Sequence, residues 1–167
     1  MASILKVNTI QDATNSNTAM TIDSSGRVLT PTRPHCFVVF DETATGGYQS
    51  VASGAVLPFA SAKINVGGGT YDSSNYRYTV PVTGMYQVTF NCILDGVNTL
   101  SLFLRVDGSI VHYWYNADAR HMTWTYLHEV NSGSYFDIGH DTGSSRNISK
   151  AGTPATTYTS VSYTLIG

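Results

Sequence analysis

From Tyr86 the chain alternates without a break: Tyr86, Val88, Phe90, Cys92 and Leu94 fall on one side, Gln87, Thr89 and Asn91 on the other. Successive side chains of a β-strand point to opposite faces, so this pattern predicts one half-buried strand of an antiparallel sheet. Ahead of it, Gly67-Gly68-Gly69 reads as a turn, Tyr76-Arg77-Tyr78-Thr79-Val80 as a short aromatic strand, and Pro81-Val82-Thr83-Gly84 as a corner. Further on, Leu100, Leu102, Leu104 and Val106 alternate with Ser101, Phe103 and Arg105, and Asp107-Gly108 then supplies a strong hairpin signal. Phe103 is the exception on its polar side. It reads either as a lone exposed ring or as part of a contact between subunits. Strands are expected over residues 36–40, 55–59, 63–66, 76–80, 85–94, 99–106, 109–115, 122–130, 135–140 and 158–166, with no helical periodicity among them. Ten short strands and no helix indicate a β-sandwich or jelly roll.

The first 34 residues read differently. Two apolar patches, Ile4-Leu5-Lys6-Val7 with Ile10 and Ala19-Met20-Thr21-Ile22, flank a polar stretch. Asp23-Ser24-Ser25-Gly26 is a turn signal, and Arg27-Val28-Leu29 resumes an extended segment. Ordering backbone costs about 1–2 kcal/mol per residue, and each buried apolar side chain returns only about 1.5–3 kcal/mol. Alone, the segment should not fold. It is expected to be an attachment arm, residues 1–34, ordered by docking through Ile4, Leu5, Val7, Ile10, Met20, Ile22 and Val28, and followed by a head over residues 35–167.

Composition narrows the function classes. Of the 167 residues only 12% are charged, and the formal net charge is -2, so a basic nucleic-acid footprint is missing. At 42% hydrophobic with regular spacing, the chain is not disordered. No stretch reaches the roughly 20 apolar residues that span a bilayer, and the N-terminus does not read as a signal peptide. The expectation is synthesis in a cytoplasm, without membrane insertion. Cys36 and Cys92 have neither metal-type nor redox-type spacing and read as small buried hydrophobes, with a disulfide open to them only if their strands are neighbours.

The densest chemistry lies between His112 and Tyr126, where Tyr113, Trp114, Tyr115, Asn116, Arg120 and Trp124 gather within one stretch. Rings beside Asn, Asp and Arg suit a subunit interface, where Trp, Tyr, Met and Arg are enriched, and equally a sugar-stacking surface. His112, His121, His128 and His140 fall on different strands without ligand spacing, so no metal and no cofactor is expected. Among Asp107, Glu129, Asp137 and Asp141 no pair is marked for glycoside hydrolysis, and nothing resembles a nucleophile elbow. The chain is expected to be no enzyme.

Residues 35–167 resemble the globular head of the complement-q and tumour-necrosis-factor superfamily. The likeness rests on the strand at Phe37, on Leu57-Pro58-Phe59 and on Gly68-Gly69-Thr70-Tyr71-Asp72. It continues through Tyr78-Thr79-Val80-Pro81-Val82-Thr83-Gly84-Met85-Tyr86, Leu104-Arg105-Val106-Asp107-Gly108 and Ser160-Val161-Ser162-Tyr163-Thr164-Leu165-Ile166. It implies a ten-stranded jelly-roll sandwich that forms a homotrimer. Gly133-Ser134 stands where that family carries a Gly-Asp pair, so no calcium site is carried over. The arm resembles the N-terminal segment of tailed-phage fibre and decoration proteins. Together these imply a structural protein on the virion surface. Its partners would be itself, the major capsid protein or tail proteins and, if it is a fibre tip, a host surface glycan.

Overall fold

The computed structural model describes residues 7–11, 18–30, 32–40, 47–149 and 159–167, and among them every regular element is a β-strand. The chain divides into two compact units, Met1–Arg33 and Pro34–Gly167.

In the first unit, β1 (Thr9–Gln11), β2 (Thr18–Ile22) and β3 (Val28–Leu29) form a three-stranded antiparallel meander. The arm is thus more than the bare extended segment expected of it. Its second turn is built by Asp23, whose carboxylate accepts from the backbone N–H of Ser25 (2.9 Å) and Arg27 (3.0 Å) and from Arg27 Nε (2.7 Å). Those hydrogen bonds hold the Asp23 carboxyl below its usual range. Gly26, at φ +78°, closes the turn where a side chain would be strained.

The second unit contains β4 (His35–Val39), β5 (Tyr48–Val51), β6 (Ser61–Val66), β7 (Thr70–Asp72), β8 (Arg77–Thr79), β9 (Gly84–Val106), β10 (Ser109–Val130), β11 (Tyr135–His140), β12 (Arg146–Ser149) and β13 (Ser160–Leu165). The strands expected at 85–94 and 99–106 are two halves of β9, and those at 109–115 and 122–130 are two halves of β10. The two strands form one long hairpin whose register slips between Asn116 and His121. The early half of β9 pairs with β13, and the late half pairs with β11. One sheet therefore runs β6-β4-β13-β9-β10 and the other β7-β8-β11-β9-β10, each using its own half of the hairpin. β12 joins β5 and touches β9 at Leu94, where the hairpin passes between sheets.

Core-facing rings meet between the sheets: Tyr78 stacks on Tyr163 at 5.1 Å, Phe136 on Tyr163 at 5.5 Å, and Tyr86 meets Phe136 at 6.0 Å. Tyr86, Val88, Phe90, Cys92 and Leu94 are all buried, as their alternation requires. Each such side chain contributes about 1.5–3 kcal/mol when removed from water. Cys36 and Cys92 are both buried free thiols, and burial pushes each up to about 12.

The marked motifs have physical reasons. At Gly84 a Cβ would come within 2.5 Å of the Gly167 carbonyl, so the corner lets the last residue lie against the strand. Tyr86 O–H donates to the Val82 carbonyl at 3.1 Å and closes that corner. Tyr71 O–H reaches the Phe59 carbonyl at 2.6 Å, which ties the Tyr-Asp segment to the neighbouring loop. Two expectations fail locally. Residues 55–59 make only the single bridge from Val56 to Gly139, because Leu57 turns into the core and Pro58 offers no N–H. The short polar strands β5 and β12 carry too little alternation to be read in advance.

Candidate interface at the hairpin edge

β10 is the outermost strand of both sheets, so the sandwich is open along it. Because the hairpin folds over, the two halves of β10 face each other across that opening. His112 and Trp114 come from the first half, and Trp124, Tyr126 and His128 from the second. His112 stacks on Tyr126 at 4.1 Å, and Tyr126 on His128 at 6.0 Å. Trp114 stacks on Trp124 at 6.0 Å, which in turn stacks on Phe90 at 5.9 Å. Trp114 is buried, while His112, Trp124, Tyr126 and His128 are half-buried. The edge is thus closed by a two-deck ring stack that keeps part of its surface in water.

The remaining residues of this stretch point elsewhere. Tyr113 and Tyr115 lie 50% and 70% exposed on the outer face of the second sheet. Asn116 is half-buried and Arg120 exposed, at the end where the register slips. Phe103 is not an exposed ring: it is 3% exposed, lying over Gly139 beside Tyr113 (6.4 Å) and the Arg105 guanidinium (5.1 Å). A Cβ at position 139 would run into that ring. A glycine on the next strand is what lets an aromatic lie flat on a polar face.

The outer face of the first sheet is nearly uncharged. Ile64, Phe37, Ser162, Thr89 and Thr125 run across it in register, and Leu127, opposite Gln87, follows two residues on; Ile64 and Leu127 are exposed. Its hydroxyls and amides bond to one another: Thr89 with Thr125 at 3.2 Å, and Thr123 O–H to Asn91 Oδ1 at 2.7 Å. In the arm, Ile10 opposes Met20 and Ile22 opposes Val28, so these four share one face. Ile10, Ile22 and Val28 are 45%, 40% and 60% exposed, Met20 and Val7 are half-buried, and Ile4 and Leu5 lie outside the described residues.

Asp137, weighed above only as a hydrolytic carboxylate, is fully buried on the outer face of the second sheet between two arginines. Arg105 Nε donates to its Oδ1 at 2.6 Å, and Arg77 Nε stands 3.5 Å from Oδ2. Sequence reasoning passed over Arg77. Its alternation with Tyr78, and that of Asp137 with Phe136 and Ile138, places both on the solvent side of neighbouring strands and was the available signal. His140 is buried, with Nε2–H donating to the Val51 carbonyl at 2.8 Å, and burial holds its pKa below the ordinary histidine value. Among the described residues no three of His, Cys, Asp and Glu gather where they could hold a metal ion.

No family model and no curated protein matches the chain. Solved structures do. The structure of Eiger TNF from S. frugiperda superposes with a TM-score of 0.58 at 12% identity, covering 81% of this chain and 94% of that one. The globular domain of zebrafish complement 1qA superposes with a TM-score of 0.57 at 14% identity, covering 80% and 98%. The chain has the jelly-roll fold of the tumour-necrosis-factor and complement-q heads, as its motifs led one to expect.

Proposed function

We propose that this chain is a non-enzymatic structural protein of a phage virion, a capsid decoration or cement protein whose heads form a homotrimer and whose N-terminal arm holds it to the particle. The observation that carries the reading is the hairpin edge. An edge strand as long as β10 is a liability in a free monomer. Its half-exposed ring stack needs a cover, and the outer face of the first sheet, where Glu129 is the exposed acid beside Leu127, is a surface that suits it. Edge packed on face is a head-to-tail contact, which forms a ring when the rotation closes. The tumour-necrosis-factor-like and complement-like fold supports self-association of this kind.

The virion placement is carried by the arm, whose likeness to phage fibre and decoration segments now joins an apolar face of Ile10, Met20, Ile22 and Val28. A sheet of so few residues is marginal until that face is covered. Light scattering of the purified protein is expected to give three times the chain mass; a monomer at micromolar concentration refutes the trimer. Antibody labelling of particles is expected to decorate the capsid, and label confined to the tail overturns that placement. A second reading, a fibre-tip adhesin for a host surface glycan, is favoured by the exposed rings of Tyr113 and Tyr115. Inhibition of adsorption by the purified protein would select it.

A further inference from the structure

Arg77, Asp137 and Arg105 lie side by side on three neighbouring strands of the second sheet, all on its outer face. The carboxylate is fully buried beneath the two guanidiniums, whose side chains are 38% and 22% exposed. Each guanidinium also rests on a ring, Arg77 over Tyr135 at 4.3 Å and Arg105 near Phe103 at 5.1 Å. Stacking and ion pairing fix both cations in place. Their hydrogen bonding is incomplete, however. Among the described residues the Arg105 guanidinium donates only through Nε, and Arg77 Nε and Asp137 Oδ2 are buried without a hydrogen-bond partner there. The terminal amino groups of both arginines make no hydrogen bond to the described residues.

Two guanidiniums share the buried carboxylate. The nearest other acids, Asp72 and Asp107, keep their charge, and Asp72 acts on Arg77 through space, but among the described residues neither hydrogen-bonds to a guanidinium. Asp72, opposite Arg77 on β7, accepts from Ser74 N at 2.8 Å and from Asn75 N and Nδ2 at 3.2 and 2.7 Å. Asp107 accepts from Tyr135 N at 3.0 Å. Burying a carboxylate is expensive, and a pair of preorganised forks with free amino groups matches a planar oxyanion. Diagonally across the hairpin from Arg105, the half-exposed Tyr113 ring offers an apolar face to a sugar ring.

We propose that Arg77 and Arg105, set by Asp137 and flanked by Tyr113, form a binding site for the carboxylate of an acidic saccharide such as a sialic or uronic acid. The site adds a ligand class to the adhesion reading and does not depend on the homotrimer or on the virion placement. Asp137 is a positioning residue there, since its oxygens face the arginines and not the ligand.

The test is calorimetric titration of the full chain with sialyllactose, a glucuronate-terminated disaccharide, lactose as the neutral counterpart and inorganic sulfate. One or both acidic sugars bind, and lactose binds at least about tenfold more weakly, the scale of one charge-assisted hydrogen bond. Arg77→Lys keeps the charge over Asp137 but loses the fork, and weakens the acidic sugar by about tenfold with the unfolding midpoint and scattering mass unchanged. Should that variant fail to fold, Tyr113→Ala replaces it, at a half-exposed position whose ring packs only edge-on against Phe103, with the unfolding midpoint read alongside, and it also weakens the acidic sugar. No binding of either acidic sugar, equal binding of lactose, or wild-type affinity in the folded variants overturns the site. Sulfate competing as well as the sugar overturns the saccharide assignment. Scattering mass is read in the same samples, so a failed homotrimer and a failed sugar site are distinguishable.

Discussion

At the scale of single residues, Gly139 decides what the second sheet can carry on its outside. With no Cβ it makes room for the Phe103 ring and for the Ala55 carbonyl, which a Cβ would approach to 2.5 Å. Gly139→Ala is therefore expected to lose about 1–3 kcal/mol, the usual scale of overpacking. Urea denaturation measures it, and the loss should shrink when Phe103→Leu is added. A loss of equal size in both backgrounds would mean that the ring is not the obstacle. His140 supplies a pH dependence. Burial holds its folded-state pKa below the unfolded value of about 6.5, so the unfolded chain takes up the proton first. Stability is then complete above that value and falls as pH drops through it toward the folded-state pKa. Denaturation midpoints followed from about pH 7.5 to 5 should fall, and His140→Gln should remove that share of the slope. A variant that declines in parallel with the parent would contradict this assignment.

At the scale of elements, the β9–β10 hairpin organises both sheets, and its turn is a two-residue one with Asp107 at φ +50° and Gly108 at φ +80°. Such primed turns match the right-handed twist of the strands they join. At Gly108 a Cβ would find only ordinary contact, 3.5 Å from the Tyr135 hydroxyl, so Gly108→Ala is opposed by backbone conformation alone. It should cost about 1–2 kcal/mol, read as a lower denaturation midpoint with an unchanged spectrum of the folded state; a neutral result would mean that the turn relaxes. Much of this element was legible from residues: the alternations from Tyr86 and from Leu100, and the Asp107-Gly108 turn, all stand where the pattern put them. The bridge between them was not, because Asp95, Gly96 and Asn98 break the period while the extended backbone runs on and pairing resumes at Asn98. Phe103 escaped for a related reason. Periodicity along one strand cannot reveal that Gly139 of another strand leaves space for a ring.

At the scale of the whole molecule, the fold is read from motif and alternation, whereas the surfaces that act on partners depend on which strands end at an edge. The ring stack joins His112 to Tyr126 and Trp114 to Trp124, residues brought together only because the hairpin folds over. Leu127, 50% exposed on the nearly uncharged face, tests the proposed edge-on-face contact. A lysine there is solvated in a monomer but buried in the ring, where an unpaired charge is strongly unfavourable. Leu127→Lys should reduce the scattering mass to that of single chains while leaving the unfolding of the head cooperative. A variant that keeps the wild-type mass would place the contact elsewhere.

The packing of the last residue has a consequence for engineering. Leu165 N donates to the Pro34 carbonyl at 3.0 Å and Met85 N to the Gly167 carbonyl at 2.7 Å, so the polypeptide enters and leaves the head at one pole. The head is topologically a nearly closed loop. A passenger fused after Gly167 would emerge beside that entry point. The crossing around Gly96, at the far pole from Met85, is the site to cut for a circular permutant or to open for an inserted epitope.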